Sequence, residues 1–144
     1  MFRRSKQRKE LRALMLEARD NMNAIGYAET RIANAAIRDG AGQLIDTGHN
    51  ILTYLQDNPD KISSTRRFFT YYLDTAREIL DRYLLVQESG LNSTEVAEVT
   101  RTTERAMPIL NQAFEKQYVH LMRNEFMEIE TEVKLLELNL KMDR

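Results

Sequence analysis

Apolar residues along this chain recur in steps of three and four, and nowhere do they alternate over a useful length. Steps of three and four gather side chains on one face of an α-helix, whereas a half-buried strand needs a period of two. The spacing therefore predicts an all-α fold with no sheet. Helix breakers are scarce, with five Gly and two Pro in 144 residues, so the helices should be long and their boundaries few. A chain of this length suits one domain and can bury a core without disulfides.

The boundaries follow from the punctuation. Leu11, Leu14, Met15, Ala18, Met22 and Ile25 form a first stripe that Gly26 is expected to close. A second helical stretch runs from about Tyr27 to Asp57, and a break or kink is expected at Gly40 and Gly42, each costing roughly 1 kcal/mol against Ala. Asn58 is the expected N-cap of a third helix, with Pro59 at its first position and Asp60 at its positive end. That helix should run to about Glu88, with Gly90 as its stop. At about 100° per residue, Phe68, Phe69, Tyr72, Leu73, Ala76, Ile79, Leu80, Tyr83 and Leu84 cover an arc of roughly 160°. So wide a face predicts contact with two or more neighbours and a central position. Asn92, with Glu95 three residues on, resembles a capping box opening a fourth helix, in which Pro108 should produce a kink. A fifth helix is expected from Asn124 or Glu125, with Phe126, Ile129, Val133, Leu136 and Leu140 as its stripe and Leu135, Leu138 and Met142 on the opposite side. The expected architecture is an elongated bundle of about five helices, spanning residues 10–144 and preceded by a basic, flexible arm, residues 1–9.

Composition narrows the chemistry. There is no Cys, which removes a thiol nucleophile, a thiolate metal site and a disulfide framework. No GxxxxGK[ST], GxGxxG or GxSxG occurs, so neither a phosphate cradle nor a nucleophile elbow is recognisable. Neither His49 nor His120 has a second His at a metal-binding spacing, and Glu125, Glu128, Glu130 and Glu132 lack the Glu-x-x-His partners of a helical carboxylate site. No catalytic residue, metal site or cofactor is therefore expected. No apolar run approaches the roughly 20 residues that span a bilayer.

Three features point to contacts instead. Arg3, Arg4, Lys6, Arg8 and Lys9 place five positive charges within nine residues, a pattern that attracts anionic lipid or nucleic acid. Tyr71 points away from the wide face of the third helix with Arg67 at i−4, a residue pair that interfaces favour. Leu135, Leu138 and Met142 either sandwich the last helix in the core or form a surface for a partner or a second copy.

Two stretches also carry a resemblance. Asn58-Pro59-Asp60-Lys61 is followed by Arg66, Arg67, Phe68, Phe69, Thr70, Tyr71, Tyr72 and Leu73; Leu110-Asn111-Gln112-Ala113-Phe114-Glu115-Lys116 is followed by Ile129 through Leu140. In order and spacing these resemble the bacterial 5-bromo-4-chloroindolyl phosphate hydrolysis protein family, well from about Leu55 to Asp143 and loosely before. Asp74 stands where the family pattern usually has Pro, and Glu128 and Glu132 where it tends to have Asp. The resemblance implies a helical protein that often accompanies a toxic-anion (tellurite) resistance protein. Family members often carry membrane segments before the helical region, and none is recognisable here. The resemblance supplies no catalytic residues.

The resulting expectation is a non-catalytic helical interaction module, cytoplasmic or at the inner face of the membrane, linked to toxic-anion resistance or envelope stress. A protein partner is expected, the toxic-anion resistance protein first, with a homo-oligomer and a membrane surface as further candidates. Two alternatives stand beside it: a phosphoester hydrolase, as the family name suggests, and anionic lipid or nucleic-acid binding through the basic start. The net charge of −1 argues against a large nucleic-acid footprint.

Overall fold

The computed structural model describes residues 2–143, apart from the side chains of Phe2 and Arg4. It is all-α, and no strand occurs among the described residues. Helix α1 is Phe2–Arg31 and α2 is Ala35–Asp57. A 3₁₀ helix, Pro59–Ser64, leads into a π-helical turn, Phe68–Tyr72, which continues without interruption as α3, Leu73–Glu88. Helix α4 is Thr94–Met142. With the π-turn and α3 taken together, five helices result among the described residues.

Long-range side-chain bonds fix the packing directions. Glu10 pairs with Arg66, Asn21 bonds Asp74 and Arg77, and Gln87 bonds Arg31 and Ala33. The sequence offset stays nearly constant along these links, so α1 and α3 run parallel. Contacts of Gly40 with Met107, Gly48 with Phe114 and Tyr54 with Glu125 make α2 and α4 parallel in the same way. Helices α1, α2, α4 and α3 follow one another around a ring, each packed on its two neighbours. The 3₁₀ helix crosses one end of this ring, the end where α1 begins and α2 stops.

The buried stripes follow the sequence. Leu11, Met15, Ala18, Ile25 and Ala28 line α1, with Ile32 buried just past its end; Ile37, Ala41, Leu44, Ile51 and Leu55 line α2. The wide face of the third helix is buried at Phe68, Phe69, Leu73, Ala76, Leu80, Tyr83 and Leu84, against α1 on one side and α4 on the other. The π-turn contributes to that width. The Leu73 N–H bonds the Phe68 carbonyl five residues back, so Phe68 and Leu73 stack on one side. Phe68 meets Phe114 of α4 edge-on, with ring centroids 5.0 Å apart.

Several boundaries differ from expectation, each for a physical reason. Helix α1 begins at Phe2 and passes through the basic start without a break, because Arg, Lys, Gln and Glu are strong helix formers. It also passes through Gly26 and ends at Arg31. There Gln87 of α3 donates to the Arg31 carbonyl and accepts from the Ala33 N–H, and Asn34 caps α2 by accepting from Ile37. Gly40 and Gly42 do not break α2. An added Cβ at Gly40 would lie 2.6 Å from the Met107 Cβ, so this glycine permits a close crossing with α4. At the same crossing Asn111 donates to the carbonyls of both Gly40 and Met107. Asn58 donates to the Tyr54 carbonyl and so finishes α2 rather than capping the next helix, and Ser93, not Asn92, caps α4. No break occurs near Asn124. Between Ile109 and Met142 there is neither Gly nor Pro, and α4 continues as one helix of 49 residues that includes Pro108, roughly 74 Å of α-helical rise.

Candidate functional site

The distal half of α4 is where the chain departs most from a self-contained bundle. The last residue that α4 buries is Leu121. From Arg123 to Asp143 every residue is exposed, a projection of about 30 Å. Along it stand Phe126, Met127, Ile129, Val133, Leu135, Leu136, Leu138, Leu140 and Met142, all exposed large apolar side chains.

Two stripes share these residues. Val119, Met122, Phe126, Ile129, Val133, Leu136 and Leu140 alternate steps of three and four, the a/d spacing of a coiled-coil seam. Met127, Leu135, Leu138 and Met142 lie on the other side. The seam is not a continuation of the face that α4 buries in the bundle. Carried past Leu121, the phase of Thr103, Met107, Leu110, Phe114 and Leu121 reaches Glu125, Glu128 and Glu132. The seam lies about 100° away from that line, one residue step around the helix. Leu135, Leu138 and Met142 are therefore exposed as a candidate surface. The stripe Phe126–Leu140, expected to be the core face of a fifth helix, is exposed with them. The reason is geometric: α2 stops at Asp57 and the 3₁₀ helix closes that end, so no other described helix lies alongside α4 beyond it. At its root the Tyr54 hydroxyl donates to Glu125 Oε1 at 3.1 Å. Partial desolvation, followed by this bond to a carboxylate, raises the Tyr54 pKa and keeps the hydroxyl a donor.

The π-turn carries a second exposed group. Arg67 lies 4.9 Å from the centroid of the Tyr71 ring and 5.6 Å from that of Tyr72, and the two rings meet edge-on at 5.2 Å. Tyr71 is half exposed and Arg67 is exposed. The expected pairing of Arg67 with Tyr71 is thus present, and Tyr72 joins it. The π-turn belongs to the stretch of sequence that carries the family resemblance.

The model of the family described as 5-bromo-4-chloroindolyl phosphate hydrolysis protein matches residues 4–136. The chain belongs to this family. For this member of the 5-bromo-4-chloroindolyl phosphate hydrolysis protein family the likeness reaches well beyond the second half, through α1 and α2 and along the seam as far as Leu136. Leu138, Leu140 and Met142 lie past it. Neither a curated protein nor a solved structure matches the chain.

The remaining candidates of this family member are dispersed. Arg3, Lys6, Arg8 and Lys9 are exposed on the first turns of α1, and the side chain of Arg4 lies outside the described ones. Arg8 joins Arg12, Arg19, Leu16 and Pro59 around an open groove beside the 3₁₀ helix, a grouping that the sequence reading missed because Arg12 and Arg19 stand outside the basic run. Arg66 holds Glu10 by two bonds, at 2.7 and 2.9 Å, and this bidentate pair lowers the Glu10 pKa. Between α1 and α3, Asn21 is buried, donates to Asp74 Oδ1 at 2.7 Å and accepts from Arg77, which also reaches Asp81. These bonds fix the register of two helices. His49 and His120 are both exposed. Among the described residues no three His, Asp or Glu side chains are grouped to hold a metal ion, and no helix is long and apolar enough to cross a membrane.

Proposed function

We propose that this protein is a non-catalytic helical interaction module that binds a protein partner through the projecting half of α4. The observation that carries this reading is the density of exposed apolar surface there. Nine of the seventeen residues from 126 to 142 are large, apolar and exposed, against eight among the described side chains of residues 3–125. Contiguous apolar surface of that kind marks a protein contact. Arg67 and Tyr71 form a second, smaller contact on the same molecule, with the cation over the ring. We place the module in the bacterial cytoplasm or at the inner face of the membrane, with the basic first turns of α1 as the part that faces anionic headgroups. The toxic-anion resistance protein that accompanies this family is the first partner to try.

Co-purification with that partner tests the reading. Complex formation should be lost in Ile129→Asp and Leu136→Asp and weakened in Tyr71→Ala. Capture unaffected by all three substitutions would remove both surfaces from the proposal. The family description speaks of phosphate hydrolysis, and the competing hydrolase reading has its own test. Purified protein incubated with a chromogenic phosphate and Mg²⁺, Mn²⁺ or Zn²⁺ is expected to be inactive. Turnover that persists through further purification and disappears on a single carboxylate or histidine substitution would reverse that assignment.

A further inference from the structure

The charges flanking the seam say what kind of surface it fits. With Phe126, Val133 and Leu140 at a positions and Ile129 and Leu136 at d, the flanking g positions hold Glu125 and Glu132 and the e positions Glu130 and Glu137. Glu125 is engaged by Tyr54, while Glu130, Glu132 and Glu137 form no ion pair with any described residue. We propose that the projecting half of α4 docks an amphipathic helix of another protein whose own apolar seam is flanked by Lys or Arg. This rests on the interaction-module reading and adds the partner's chemistry to it.

A second copy of the chain fits less well. In a parallel pair, g faces e of the next heptad, so Glu125 meets Glu130 and Glu132 meets Glu137, carboxylate against carboxylate each time. Ile at a d position also disfavours a parallel two-stranded pairing. In an antiparallel pair at full overlap, Glu130 and Glu132 each face their own counterpart at the centre, and only Arg123 with Glu137 at the ends attracts. A partner with basic flanks gains at all four carboxylates. The basic start of this chain does not serve as that partner, because Arg3 to Lys9 contains no apolar residue and so offers no seam.

The test uses the full chain and two synthetic helical peptides of three heptads. They share one seam, Val at a and Leu at d, and carry either Lys or Glu at every e and g position. Fluorescence anisotropy at low salt should show the Lys peptide binding at least tenfold tighter than the Glu peptide, with the difference shrinking in high salt. The triple variant Glu130→Lys, Glu132→Lys, Glu137→Lys should reverse the preference, and Ile129→Asp with Leu136→Asp should abolish binding of both peptides. These positions are all exposed, so thermal unfolding of the variants verifies that the bundle is intact. Equal binding of both peptides overturns the charge assignment and leaves the docking helix standing. A dimer in sedimentation velocity that Ile129→Asp dissociates, with no peptide preference, makes the second copy the occupant and also overturns it. Binding of neither peptide by a monomeric, folded chain overturns this inference and the docking role of α4 together.

Discussion

Between Thr103 and Leu121, α4 buries Thr103, Met107, Leu110, Phe114 and Leu121, while between Phe126 and Met142 the same rod leaves nine large apolar side chains exposed. Both halves are amphipathic, and both are spaced in threes and fours. What separates them is the neighbour. The first half meets α2 closely at Gly40 and the π-turn through Phe68, and every described residue of the second half is exposed. An isolated helix of some twenty residues is marginal in water, because its nucleus is costly. Here the bundle half supplies the nucleus, and the distal half only propagates it through Glu, Lys, Leu and Met, all good helix formers. Helicity therefore extends past the packing, and an apolar stripe records that a face is to be covered without recording by what.

The largest effect that separates the two halves is a truncation of one aromatic in each. Phe114 is fully buried and packs edge-on against Phe68, so Phe114→Ala should cost about 3–5 kcal/mol. Phe126→Ala removes an exposed side chain and should change stability by less than about 0.5 kcal/mol. Urea unfolding of the two variants measures the contrast. Near-equal losses would mean that the distal half is covered in solution, by another copy or by the bundle itself.

Glycines sharpen the comparison from the side of the backbone. Gly40→Ala puts a Cβ 2.6 Å from that of Met107, and the bundle half of α4 has to move. The gain in helix propensity is outweighed, with a net loss of about 1–3 kcal/mol expected from overpacking. Gly26→Ala meets no atom within 4 Å in the interior of α1 and should stabilise by about 0.5–1 kcal/mol. Thermal denaturation of the pair gives opposite signs if the Gly40 crossing is as close as described.

These two glycines also mark what was legible in the sequence. The helical class, the buried stripes of α1 and α2, and the wide Phe68–Leu84 face follow from spacing alone, because spacing is local. Whether a glycine ends a helix or admits a neighbour depends on a residue far along the chain, and Met107 is 67 positions from Gly40 (107 minus 40). The end of α1 was hidden for the same reason, since its cap comes from Gln87 on α3. At the candidate surface, Arg67 over Tyr71 was readable because the pair is i, i+4 on one helix. The exposure of the Phe126–Leu140 stripe was not, because nothing local says that the other helices stop short of it.

A third, smaller effect lies at the α1–α3 interface, which has a polar element that the distal half of α4 lacks. Asn21→Ala removes the amide that joins Asp74 and Arg77, and a loss of about 1 kcal/mol is expected. Asn21→Leu fills the volume without the bonds and separates register from packing. If Leu restores stability while hydrogen exchange in α3 still speeds up, the amide fixes register rather than adding stability.

The smallest effect concerns pH at the end of the bundle from which distal α4 projects. Arg66 holds Glu10 bidentately, and that hydrogen bond is the main cause of its lowered pKa, with the Arg66 charge adding to it against some desolvation. For a carboxylate whose folded pKa is depressed, the unfolded chain takes up a proton first as the pH falls. The pair's contribution is therefore complete above the ordinary carboxylate range and is lost as pH falls through the lower folded value. Both side chains are substantially exposed, so salt should weaken the contribution. The stability difference between the native chain and Glu10→Gln should accordingly be small and flat near neutrality, shrink in acid, and shrink again in high salt at neutral pH. A difference that fails to shrink in acid would remove the bidentate pair as its source.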